Sequence, residues 1–231
     1  MLRAGCVQML MGAALLTPTL AHAGDATFSG YLAARSNYVF STGTKNDSNP
    51  VAQLWLNSQF ANGVFLDVWS NAPLNEGNPE RSGEIDYKIG YSHTTPIGGL
   101  SYSLAYYDIQ IPHLFDDDGD FYAPEVYWYK DQYSVLATYF AGPGNRDGFR
   151  VSFGWSPKPT GRWSFNSYIN YANGPFTALE AVISKLRATY SFGSKQRWHL
   201  SAEASIPLYL EQTNDKRGRD ITFSLIYDLF K

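Results

Sequence analysis

Apolar and polar residues alternate one for one through most of the chain from residue 28 onward, and a period of two admits strands and little else. Between Glu84 and His93, one face carries Ile85, Tyr87, Ile89 and Tyr91, and the other carries Glu84, Asp86, Lys88, Gly90 and Ser92. From Gly148 to Ser156, Phe149, Val151, Phe153 and Trp155 oppose Arg150, Ser152, Gly154 and Ser156. From Lys185 to Phe192, Leu186, Ala188, Tyr190 and Phe192 oppose Lys185, Arg187, Thr189 and Ser191. From Trp198 to Leu208 the apolar set is Trp198, Leu200, Ala202, Ala204, Ile206 and Leu208, against His199, Ser201, Glu203 and Ser205.

Turn-forming residues fall between these runs and divide the chain into about twelve strands, near 28–41, 51–60, 64–71, 83–93, 100–111, 121–129, 133–141, 148–156, 163–172, 184–192, 198–209 and 219–230. Short connections at 61–63, 94–99, 130–132, 157–162 and 193–197 alternate with longer ones near 42–50, 72–82, 112–124, 142–147, 173–183 and 210–218. That alternation predicts an all-β, antiparallel transmembrane β-barrel with tight periplasmic turns, longer outer loops and both termini periplasmic. Several strands have about 9–11 residues, enough to cross a bilayer at a tilt. No repeat, linker or low-complexity stretch divides the chain, so residues 24–231 read as one domain.

The first residues read differently. Arg3 supplies a positive start, residues 5–16 an apolar run too short to span a bilayer, and Ala21-His22-Ala23 a small-residue cleavage site. Residues 1–23 are therefore expected to be a cleaved signal peptide. Cys6, the only cysteine, lies inside it, which leaves no disulfide framework in the exported chain. A formal net charge of −3 excludes the basic footprint of a nucleic-acid binder.

A soluble β-sandwich would show the same period, and other features favour lipid. The polar faces carry mid-strand charges, Glu84, Asp86, Lys88, Arg150, Lys185, Arg187 and Glu203, which a closed barrel can pair and hydrate in its lumen. Aromatics make up 16% of the chain, and Trp155, Trp163, Tyr171 and Trp198 stand at the ends of apolar faces, where interfacial girdles belong. The last strand places Ile221, Phe223, Leu225, Tyr227 and Leu229 on one face, as outer-membrane proteins commonly do. Closure follows from energy, because each unpaired backbone group in hydrocarbon costs several kcal/mol.

Four elements of the first half resemble the TorF-type family of small Gram-negative outer-membrane porins. Ser36-Asn37-Tyr38-Val39-Phe40 is similar to that family's opening Ser-Asp-Tyr-Val-Phe. Asn49-Pro50-Val51-Ala52-Gln53, the stretch Gly63 to Asn71 and the stretch Glu84 to Tyr91 resemble its next three elements in order. The resemblance covers residues 28 to 112 and becomes diffuse beyond. It implies an outer-membrane barrel without naming a solute.

Three constellations bear on chemistry. His199 and Ser201 share one face with Glu203, an array that a barrel lipase acting on phospholipid or lipid A could use, although the period turns the pair inward, away from lipid. Asp116, Asp118 and Asp120, with Gly119, have a spacing that suits Ca²⁺, but a solvated acidic outer loop accounts for them better, because Tyr127 stands where a calcium loop of this spacing needs glutamate. The mid-strand charges suit a mixed-charge lumen constriction, or a salt-bridged interior that passes nothing. The predicted outer loops are acidic and the periplasmic turns lean basic through Lys130, Lys158, Arg162, Lys195 and Arg197, which predicts a weak cation preference.

The expectation is an outer-membrane porin-like channel for passive diffusion of small polar solutes or ions, with no catalytic residue, metal or cofactor. The mid-strand charges above would line its lumen and set its selectivity. The alternatives are a lipid-modifying enzyme using His199 and Ser201, or a non-conducting structural or adhesive barrel. Expected partners are outer-membrane lipids, lipopolysaccharide, the barrel-assembly machinery and small polar solutes.

Overall fold

The computed structural model describes residues 26–39, 45–47, 50–74, 83–110, 119–142, 147–173, 181–210 and 219–230. In chain order the strands are β1 (Ala26–Arg35), β2 (Tyr38–Val39), β3 (Lys45–Asp47), β4 (Val51–Phe60), β5 (Val64–Pro73), β6 (Gly83–Thr95) and β7 (Gly98–Gln110). They continue as β8 (Gly119–Lys130), β9 (Tyr133–Phe140), β10 (Gly148–Trp155), β11 (Trp163–Asn173), β12 (Ala181–Phe192), β13 (Trp198–Leu210) and β14 (Asp220–Asp228). All but β2 and β3 close into one antiparallel barrel, in which each strand pairs with its neighbour in sequence and β14 returns to β1.

Closure abolishes sheet edges, so the backbone can sit in hydrocarbon with its polar groups paired. The seam is the shortest part of the wall. β1 pairs with β4 from Ala26↔Phe60 to Arg35↔Val51, but with β14 only from Tyr31↔Asp228 to Arg35↔Ser224. A backbone hydrogen bond from Leu229 to the Gly30 carbonyl, 3.0 Å, extends it by one step.

The short connections follow local chemistry. At 61–63, Gly63 adopts φ +92°, a conformation costly for other residues, and the Asn62 side chain accepts a hydrogen bond from the Val64 amide at 3.0 Å. In β13 the ladder to β12 shifts between Val182 and Ile183, where Pro207 faces Ile183 and Tyr209 faces Val182. Pro207 has no amide to donate, and the extra residue, Leu208, forms a bulge there. Leu208 and Tyr209 consequently both face outward.

The outer surface is apolar around the whole circumference. Leu32, Leu104, Phe153, Leu186, Leu200 and Phe223 are exposed there, with Leu104 50% accessible. Aromatics ring both ends. Near the short turns, Trp163 packs on Tyr190 with centroids 5.0 Å apart and Trp198 on Tyr227 at 4.7 Å, while at the other end Phe149 packs on Tyr171 at 5.4 Å. Leu104→Arg, near the middle of β7, should cost about 2–4 kcal/mol of folding free energy. Denaturant titration in lipid vesicles would measure the loss.

One strand differs from expectation. The wall portion of the first strand is Ala26–Arg35 rather than 28–41. Ser36 and Asn37 turn the chain off the wall. The Ser36 amide donates to the Phe223 carbonyl at 2.9 Å, and Asn37 Nδ2 donates to Asp220 Oδ1 at 2.8 Å. A second bond runs from Thr222 Oγ1 to Asn37 Oδ1. Tyr38 and Val39 then pair with β3 instead of the barrel and are buried inside it. Tyr38 joins an apolar cluster of Val51, Ala105, Tyr107, Phe121, Ala123 and Phe140, against which Trp69 packs.

The expected signal peptide, 1–23, lies outside the described residues, as do Asp116, Asp117 and Asp118 of the acidic loop and most of the other predicted outer loops.

Candidate functional site

Strand parity aims one residue in two at the lumen, and the register stacks those residues into rows across neighbouring strands. Two charged walls result. The first spans β5 to β10 and centres on Glu125, which pairs with Lys88 and, at 3.5 Å, with Arg150. Tyr107 and Thr138 donate hydroxyl hydrogen bonds to Glu125 Oε1 at 3.0 and 3.2 Å, and Ser103 donates to Oε2 at 3.2 Å. Glu84 and Asp86 stand beside this centre, two residues apart on the same face of β6. Asp67 on β5, directly opposite Lys88, accepts from Asn57 Nδ2 at 2.6 Å.

The second wall spans β12, β13 and β1 and centres on Glu203. Arg187 holds it through Nε, 2.7 Å, and Nη2, while Lys185 and Arg35 approach its other oxygen at 3.6 Å. Arg35 also donates to Ser224 Oγ at 3.1 Å and Gln53 Oε1 at 3.2 Å. Gln53 passes the network on to Asn71 Oδ1 at 3.1 Å.

The first wall is richer in carboxylates, the second in cations. In the ring order β6 and β12 are separated by the same number of strands in either direction, so Glu84 and Lys185 face each other across the lumen. The inward segment joins them. Tyr38 donates its hydroxyl to Glu84 Oε2 at 2.6 Å, and Lys185 Nζ donates to the Val39 carbonyl at 3.0 Å. Two consecutive residues thus tie opposite sides of the barrel together.

Glu84, Asp86, Lys88, Arg150, Lys185, Arg187 and Glu203, picked from the sequence, all project inward. They fall into separate networks rather than one ring. Alternation did not single out Glu125, Arg35, Asp67 or Tyr38. Glu125 is in phase with Phe121 and Ala123, opposite the exposed Tyr122 and Val126, so a mid-strand charge in that phase was the available signal. Asp67 and Arg35 carry the same signal on β5 and β1.

The His199 and Ser201 pair is not assembled. His199 Nδ1 meets Ser191 Oγ at 2.9 Å, and its Nε2 meets Asp228 Oδ2 at 3.0 Å. Both ring nitrogens are occupied, Ser201 Oγ is buried without a partner, and Glu203 is committed to the three cations. A nucleophile needs a base within reach, and among the described residues Ser201 has none.

No family model and no curated protein matches the chain. Solved structures do match its fold. A KdgM porin is 11% identical with a TM-score of 0.55, covering 87% of this chain and 98% of that one. A KdgM porin in complex with disordered oligogalacturonate is 10% identical with a TM-score of 0.54 over the same shares. A structure from a study of in-meso crystallization of membrane proteins is 11% identical with a TM-score of 0.58, covering 87% and 83%. The fold is thus a porin-like barrel. Its apolar exterior and closed wall place the chain in the bacterial outer membrane.

Proposed function

We propose that this barrel is a narrow channel through which small polar solutes or ions diffuse passively across the outer membrane. One observation carries the reading. Lys88 and Arg187, inside a closed barrel, keep 26% and 33% of their side-chain accessibility. A fully packed interior would bury both, so water-accessible space borders each charged wall. Charged groups that line such space select what passes.

Several observations support the finer parts of the reading. The four elements similar to the TorF-type family meet inside the lumen: Tyr38 bonds Glu84 and packs on Trp69 at 5.6 Å, and Gln53 bonds Asn71. That convergence favours membership in the family. Asp67, Asp86, Glu84 and Glu125 outnumber Lys88 and Arg150 on the first wall, which favours weak cation selectivity. Export through residues 1–23, assembly by the outer-membrane machinery and contact with lipopolysaccharide belong to the same proposal.

The test is single-channel recording in a planar bilayer, with protein extracted from outer membranes and a KCl gradient across the film. Discrete steps with a reversal potential favouring K⁺ are expected. A heat-modifiable, folded barrel that passes no current would refute the channel.

A further inference from the structure

The cross-strand register assembles an aromatic row that runs from β1 to the edge of the first charged wall. Tyr31 on β1 faces Trp55 on β4, Trp55 faces Trp69 on β5, Trp69 faces Asp86 on β6, and Asp86 faces Tyr107 on β7. The adjacent row brings Asp67 opposite Lys88. Together these residues line a lumenal cavity of about 360 Å³. Tyr31 and Trp55 pack with centroids 5.6 Å apart, which fixes their rings against the wall.

The charge in this cavity is unbalanced. Lys88 is ion-paired with Glu125, and the hydrogen bond that Asp67 accepts comes from the neutral Asn57 amide. Asp86 Oδ1 is sealed from solvent and has no hydrogen-bond partner, although Asp86 borders the cavity. A buried carboxylate oxygen without a donor is costly. Aromatic faces attract cations through their quadrupole, Trp most strongly, and aromatic cages recognise quaternary ammonium groups in this way.

We infer that the Tyr31–Trp55–Trp69–Asp86–Tyr107 cavity is a binding subsite for a small organic cation bearing a quaternary or protonated ammonium group. The aromatic rings take the methyl or methylene surface of the cation, and Asp86 and Asp67 neutralise its charge. A volume of this size matches a small-molecule site. The inference refines the channel reading by naming a solute class for this part of the lumen.

Isothermal titration of detergent-solubilised barrel with choline, and with its uncharged isostere 3,3-dimethylbutan-1-ol, tests it. Choline should bind saturably and shift tryptophan fluorescence, and the alcohol should bind at least about tenfold more weakly. Asp86→Asn, nearly isosteric, and Trp55→Leu should each weaken choline by about tenfold while heat-modifiability stays unchanged. Equal binding of the alcohol, choline binding that survives both variants, or no isotherm would overturn the subsite. Glucose in place of choline is the further control, and saturable binding of the sugar alone would assign the cavity to neutral carbohydrate. Calorimetry needs no current, so a barrel that binds choline without conducting sinks the channel and keeps the subsite, and the converse separates them equally.

Discussion

Tyr38→Ala should raise single-channel conductance severalfold and leave the barrel folded. Tyr38 is the point at which the inward segment grips the first wall, through its hydroxyl on Glu84 and its ring on Trp69. Truncating a buried aromatic costs about 3–5 kcal/mol. That loss falls on the docking of residues 36–39, because the wall is held by a closed ladder to which Tyr38 contributes nothing. The released segment opens the space between β6 and β12. Tyr38→Phe keeps the ring and loses the hydrogen bond, so its effect should be smaller, about 1–3 kcal/mol of docking energy. Planar-bilayer recording reads the first effect, and cold and heated gel mobility confirms folding. Unchanged conductance in Tyr38→Ala would mean that the segment does not narrow the path.

Glu203→Gln should both destabilise the barrel and turn its selectivity toward anions. Glu203 is the sole carboxylate that Arg35, Lys185 and Arg187 are seen to pair with among the described residues. Removing one partner from a buried ion network costs about 3–5 kcal/mol, because the remaining charges lose their compensation. The same three cations then face the lumen uncompensated. The reversal potential in a KCl gradient should move toward Cl⁻, and the denaturation midpoint should fall. Adding Arg187→Gln to Glu203→Gln should recover part of the stability, since the double variant leaves fewer unmatched charges. A selectivity unchanged by Glu203→Gln would place the limiting constriction elsewhere.

The strands were legible because alternation is itself a record of which side each residue faces. β6, β10 and β13 each show an unbroken apolar face, and their ends fell within two residues of expectation. The departure of Ser36 to Val39 from the wall was hidden for the same reason. An alternating pair reads alike in the wall and in a short lumenal hairpin, and what distinguishes them is the anchor of Asn37 on Asp220 and Thr222, far away in sequence. The grouping of charges was hidden too. Parity assigns Lys88 and Glu125 to the lumen, but only register brings them together, and register depends on every turn between them. The aromatic row from Tyr31 to Trp69 had the weakest signal, because its members are apolar residues in the inward phase.

The short seam between β1 and β14 bears on how the molecule comes into being. Every other strand pairing in the wall joins consecutive wall strands, so hairpins can form while later residues are still being delivered. The pairing of Tyr31 with Asp228 joins opposite ends of the sequence and must wait for them all. Contacts of such long sequence separation are slow to form. Until then Tyr31 to Arg35 present open hydrogen-bonding groups, a vulnerable state in which another strand, a chaperone or a protease can engage them. The last step of assembly thus depends on residues 224–228: a chain clipped before Ser224 loses the whole β1–β14 ladder that locks the ring.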